Sequence, residues 1–131
     1  MTSPADPLMR LVVDQVEVNR EVLATILEGK VRLDPTTGVF SFKPQVRARL
    51  GNRKTVLTAV LARKALHLLS GEINERVMPR DLEGLTGIRG NTLRPILKQL
   101  TDSGIVVRHS DGYSVPDAVM EDVARELTEE A

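Results

Sequence analysis

Five residues between positions 89 and 98 carry side chains suited to reading a nucleic acid: Arg89, Asn91, Thr92, Arg94 and Lys98. An arginine fork matches the acceptor pair on a guanine edge, and an asparagine amide matches adenine. A threonine hydroxyl serves a base or a phosphate. Arg94 and Lys98 are four apart, so a helix places them on one face. Plainer roles stand beside these. Asn91 is a good helix N-cap, and Arg94 can be an ordinary solvated cation. A second group, Arg108, His109 and Ser110, precedes Asp111-Gly112. Arg108 and His109 suit phosphate. Asp111 opposes it, although Asp is also a usual tight-turn residue. A third group, Arg47, Arg49, Arg53 and Lys54, is of the kind that holds a phosphate backbone without reading its sequence.

Other chemistries lack a constellation. There is no cysteine, which excludes disulfides, thiolate chemistry and Cys-ligated zinc and fits a reducing cytoplasm. The two histidines, His67 and His109, lie far apart, and neither neighbours a glycine-flanked serine. No set of nucleophile, base and orienting group can be drawn from them. No glycine-rich phosphate-binding motif is present. The expectation is a protein with no catalysis, no cofactor and no metal. No apolar run approaches the ~20 residues that span a bilayer. Residues 1–7 lack the basic-then-apolar pattern of a secretory signal and read as a short disordered lead.

Net charge is zero, from 18 basic and 18 acidic side chains, but the distribution is uneven. Residues 35–71 hold seven cations and no acid, whereas residues 117–131 hold six acids and one cation. Local field, not net charge, steers a polyanion. Aromatics are 2% of the chain, namely Phe40, Phe42 and Tyr113, so the core must be aliphatic.

The elements that would position these residues follow from periodicity. Apolar residues at three- and four-residue steps predict a helix over 8–28, with Asp6 as cap, Pro7 at its first position and Gly29 as stop. Met9, Val16 and Leu23, with Val12, Asn19 and Ile26, trace a short heptad seam, compatible with a helix pair or with packing on the chain's own core. Residues 31–42 read as a β-hairpin around Asp34-Pro35-Thr36-Thr37-Gly38, with Phe40 and Phe42 covering a small core of their own. A helix over 52–70 follows, capped by Asn52. A short helix over 79–86 ends at Gly87. A helix over 91–102 buries Leu93, Ile96, Leu97 and Leu100, with Pro95 near its first turn. Residues 105–108 and 113–115 read as strands about a tight turn. An acidic helix over 117–130, capped by Asp117, closes the chain.

The stretch PRDLEGLTGIRGNTLRPILKQLTDSGIV, with the hairpin after it, resembles the winged helix-turn-helix domains of bacterial and archaeal regulators. Leu82 and Leu85 stand where the first helix of the motif packs. Gly87 and Ile88 stand at its turn, Thr92-Leu93-Arg94 opens the recognition helix, and Gly104-Ile105-Val106 leads to the wing. The resemblance covers residues 55–116, about half of the chain. It implies a winged domain over 52–116, which with the elements read from periodicity, an extension over 8–51 and the acidic helix over 117–131, makes a mostly α fold with small β-hairpins (α+β). It further implies sequence-specific binding of double-stranded DNA, with the helix over 91–102 in the major groove and the wing over 105–115 on the backbone or minor groove. Two amphipathic terminal helices suggest a homodimer, the resemblance implies a transcriptional regulator, and the lack of cysteine fits a cytoplasmic one. A winged-helix adaptor that binds a protein partner is the alternative, because fold does not fix function. On the charge map, residues 43–64 are expected to supply much of the affinity and the recognition helix the discrimination.

Overall fold

The computed structural model describes residues 7–11 and 15–128. It is an α+β fold of helices with two small antiparallel hairpins. After a 3-10 turn, Pro7–Leu11, the order is α1 (Gln15–Leu27), β1 (Val31–Asp34), β2 (Val39–Phe42), α2 (Val46–Leu69), α3 (Pro79–Thr86) and α4 (Gly90–Asp102). Then come β3 (Val107–His109), β4 (Gly112–Ser114), a 3-10 turn at Asp117–Val119 and α5 (Met120–Thr128). The order from α2 to β4 is compatible with a winged-helix-like arrangement.

The central element is α2. Val56, Leu57, Val60, Leu61 and Leu66 are fully enclosed, and α1, α3, α4, α5 and both hairpins pack around this helix or its neighbours. One contiguous aliphatic core results. It runs from Leu23 and Ile26 of α1 through Leu82, Leu93 and Leu97 to Val115, Met120 and Leu127. Phe40 belongs to this core and Phe42 packs against it. The separate aromatic core expected from their alternation therefore does not form: the hairpin lies directly on α2 and shares its interior.

Several boundaries differ from expectation for physical reasons. The first helix is not described as continuous over 8–28: Pro7–Leu11 is a 3-10 turn and α1 begins at Gln15. The expected Asp6 cap, Val12 and the side chains of Met9 and Val16 lie outside the described residues. Before Asn52 there is already helix, from Val46 to Leu50, and the chain breaks at Gly51 (φ 77, ψ 173). That conformation is open essentially only to glycine, so Gly51, not Asn52, forms the boundary. Asp117 is not the cap of the last helix. It begins a 3-10 turn and directs its carboxylate to Lys64 Nζ at 2.7 Å.

The α3–α4 part follows the sequence closely. Pro79 opens α3, and the Gly87 N–H donates to the Glu83 carbonyl at 2.9 Å to close it. Ile88 is then buried between helices. Burying it fixes the turn so tightly that α4 starts at Gly90, with Arg89 (φ −70, ψ 153) in the capping position and no side-chain cap. Asn91 is thus not the N-cap; it stands exposed in the first turn. Pro95 falls in the second turn, where it denies a donor to the Asn91 carbonyl four residues back. Beyond α4, the Ile105 and Val106 N–H groups donate to the Leu100 carbonyl. They close the helix C-terminus, so the strand starts later than expected, at Val107.

The hairpin β3–β4 is not isolated. Val77, just before α3, bridges to Tyr113 through paired backbone bonds of 2.9 and 2.8 Å. Gly112 lets the strands meet: a Cβ there would stand 2.8 Å from the Val77 backbone.

Candidate nucleic-acid interface

Periodicity sorts the residues of α4 into two faces. Leu93, Leu97 and Leu100 are buried, while Asn91, Thr92, Arg94, Pro95, Lys98 and Gln99 are exposed. Alternation sorts the wing likewise. Arg108 pairs with Tyr113, and both lie on the side of α4. A groove of about 520 Å³ runs between helix and wing, with Arg94, Lys98, Thr101, Arg108 and Tyr113 among its walls. Candidate residues drawn from two separate motifs therefore meet in one place. Arg94 and Arg108 are exposed, and neither has an ion-pair partner among the described residues. Lys98 Nζ lies 3.0 Å from Asp102 Oδ2 in an open pair, 77% and 66% exposed. Such a pair contributes about 0–1 kcal/mol and is readily exchanged for phosphate.

The rest of the wing divides. Ser110 is exposed at the tip. His109 points to the opposite side of the hairpin, where its Nε2 lies 2.9 Å from Ser114 Oγ, so the structure does not bring it to the groove. Asp111 does not confront the groove as a bare charge. Arg76 Nη1 donates to its Oδ1 at 2.9 Å, and Asn74 Nδ2 lies 3.5 Å from Oδ2. The hydrogen bond from Arg76 holds the Asp111 carboxyl below the usual carboxylate range.

The four expected phosphate contacts stand in different surroundings. Arg49 is exposed on the first turns of α2. Arg47 Nη1 donates to the Thr86 carbonyl at 2.7 Å, at the C-terminus of α3. Arg53 binds Glu126 of α5 through Nε at 3.0 Å and Nη2 at 2.9 Å, and reaches Gln99 Oε1 at 3.3 Å. Lys54 is half-buried. Two further cations of the basic segment are also engaged: Arg63 with the Asn74 carbonyl at 2.8 Å, and Lys64 with Glu75 at 3.2 Å and Asp117. The acidic C-terminal helix thus neutralises part of α2 within the same chain.

Arg89 is exposed beside the start of α4. Sequence reasoning missed its acidic neighbour. A Cβ at Gly90 would stand 3.0 Å from Glu83 Oε1, so this carboxylate overhangs the first residue of α4. The helix dipole favours an anion at that end. Only the acidic character of α3 hinted at this. Sequence reasoning also missed Val77, Thr101 and Tyr113.

Among the described residues no group of three or more His, Asp or Glu side chains could hold a metal ion, and no helix is long and apolar enough to cross a membrane. Comparisons with protein-family models, with curated proteins and with solved structures gave no match.

Proposed function

We propose that this chain is a winged helix-turn-helix protein that binds double-stranded DNA in a sequence-dependent way and regulates transcription in the cytoplasm. The observation that carries the reading is the convergence of Arg94 and Lys98 of α4 with Arg108 of the wing on one groove. In such an arrangement α4 enters a major groove and the wing lies along the backbone. Asn91 supports the reading, because its exposure in the first turn is not explained by capping. The partnered Asp111 supports it too, because the wing tip presents less uncompensated negative charge than its sequence suggests. Binding of Arg94→Ala and Lys98→Ala proteins to genomic fragments tests it. Weakened or redistributed binding is expected, and wild-type behaviour of both on every fragment contradicts the assignment.

A dimer on two half-sites about one helical turn apart, ~34 Å, is part of the proposal. Pairing through the terminal helices has less to draw on than their amphipathicity suggested. Leu23, Ile26 and Leu27 of α1 and Met120, Val123 and Leu127 of α5 are buried within one chain. The mass of the DNA complex in gel filtration decides between one copy and two.

The adaptor reading is favoured by one observation, the Glu83 carboxylate over the start of α4, which repels phosphate there. Absence of DNA binding at every salt concentration, with a protein partner retained in pull-down, is the outcome that supports it.

A further inference from the structure

A second cleft lies away from the groove, between the β2–α2 connection and α3. It is an open cleft of about 520 Å³, within the size range of small-molecule sites. Its lining includes Lys43 and Arg47 and no carboxylate, in a chain whose acids and bases balance overall. The Lys43 ammonium has no partner among the described residues. Arg47 uses one N–H on the Thr86 carbonyl, and the remainder of its fork has no partner among those residues.

Two further features set this cleft apart. Both phenylalanines of the chain line it. Phe40 is buried and holds the half-buried Phe42 edge-on, with ring centroids 5.8 Å apart and planes at 70°. A planar group can therefore pack on Phe42 without first ordering it. The backbone is also adapted around the opening. Gln45 (φ 68) is the one non-glycine with positive φ among the described residues, and strained backbone of this kind clusters at ligand sites. Across from it, Gly84 sits inside α3, where glycine is disfavoured. Nothing lies within 4 Å of where its Cβ would be.

We propose that this cleft binds a free nucleoside monophosphate, with the phosphate held by Lys43 and Arg47 and the base against Phe42. A phosphate monoester carries close to two negative charges at neutral pH and matches two cations. A carboxylate would leave one cation unmatched. An arginine fork is suited to phosphate oxygens, and lysine adds a point charge. The inference shares Arg47 with the DNA reading but does not depend on it.

The test is an NMR titration of the full chain with AMP, adenosine and inorganic phosphate, followed at the backbone amides of Phe42, Lys43 and Gly84. AMP is expected to shift these signals saturably and to bind at least about tenfold tighter than adenosine or phosphate alone. Lys43→Ala should weaken AMP by about tenfold. Gly84→Leu fills open space on a helix that gains propensity, so it should abolish AMP binding without lowering the melting temperature. No saturable shift at these positions, or wild-type AMP binding by both variants, overturns the proposal. AMP binding no tighter than phosphate overturns it as well. So does a shift produced by a short DNA duplex and not by AMP, which would make the cleft an extension of a DNA backbone surface.

Discussion

Arg53 and Lys64 of α2 and Arg94 and Arg108 of the groove are all cations, in opposite circumstances. The α2 pair closes the structure: Arg53 ties α2 to α5, and Lys64 gathers Glu75 and Asp117. The groove pair has no ion-pair partner among the described residues. Yet residues 35–71 hold seven cations and no acid, whereas residues 72–116 balance at six each. Charge counted along a chain thus differs from charge offered to a ligand. Acids more than seventy positions away, such as Glu126 against Arg53, decide which cations stay available. The division of labour suggested by the charge map shifts accordingly. Much of the basic segment is engaged within the fold, and on the DNA-binding proposal the groove becomes the better source of both affinity and discrimination.

The comparison breaks most sharply under paired substitutions. Arg94→Ala with Arg108→Ala should cost roughly 1–3 kcal/mol of DNA binding per lost contact. Both side chains are exposed, so denaturant unfolding should change by no more than about 0.5 kcal/mol. Lys64→Ala should do the reverse. The Lys64 side chain is only 6% exposed between its two acids. Removing it should cost about 2–3 kcal/mol of stability, below the range for a wholly buried pair because Glu75 and Asp117 keep some solvent. DNA affinity per folded molecule should stay as in the wild type.

Smaller effects sharpen the same contrast. Asp102→Asn frees Lys98 from its open pair. DNA affinity should rise by roughly two- to fivefold, about 0.5–1 kcal/mol, with little change in stability. At the wing, the Asp111 carboxyl is lowered by its hydrogen bond from Arg76. A lowered carboxyl contributes stability that is present above its unfolded pKa and lost as pH falls through the folded value. The tie between wing and the 74–76 loop should therefore hold through neutral pH and loosen only in acid, below the ordinary value of 3.8. An acid titration followed at the Gly112 and Tyr113 amides should show this step, and Arg76→Ala should move it toward the ordinary carboxylate pH.

Much of α3 and α4 was legible because Pro79, Gly87 and the leucine spacing act locally. The β1–β2 hairpin was legible for the same reason: Asp34 Oδ1 accepts the Thr36 N–H at 3.0 Å, as its turn chemistry implies. Three kinds of feature were not. The helix over Val46–Leu50 has only two buried apolar residues, too few to show a period. The Val77 bridge is a single residue with no period at all. The start of α4 was set by burying Ile88, not by the residue best able to cap. Of the site, the separate motifs were readable, but their meeting was not. Arg94 and Arg108 share a groove because Val77 pins the hairpin against the rest of the fold. Alternation along β3 turns His109, the next residue after Arg108, to the other face.

The most direct test is the salt dependence of DNA binding by wild type, Arg94→Ala and Arg53→Ala on one high-affinity genomic fragment. Each released phosphate contact changes the slope of log K against log salt by about 0.9. The account predicts a slope shallower by about that amount, or weakened binding with relaxed sequence preference, for Arg94→Ala. It predicts an unchanged slope for Arg53→Ala, whose guanidinium is engaged by Glu126 and Gln99. A wild-type slope and preference for Arg94→Ala, together with a reduced slope for Arg53→Ala, would contradict it.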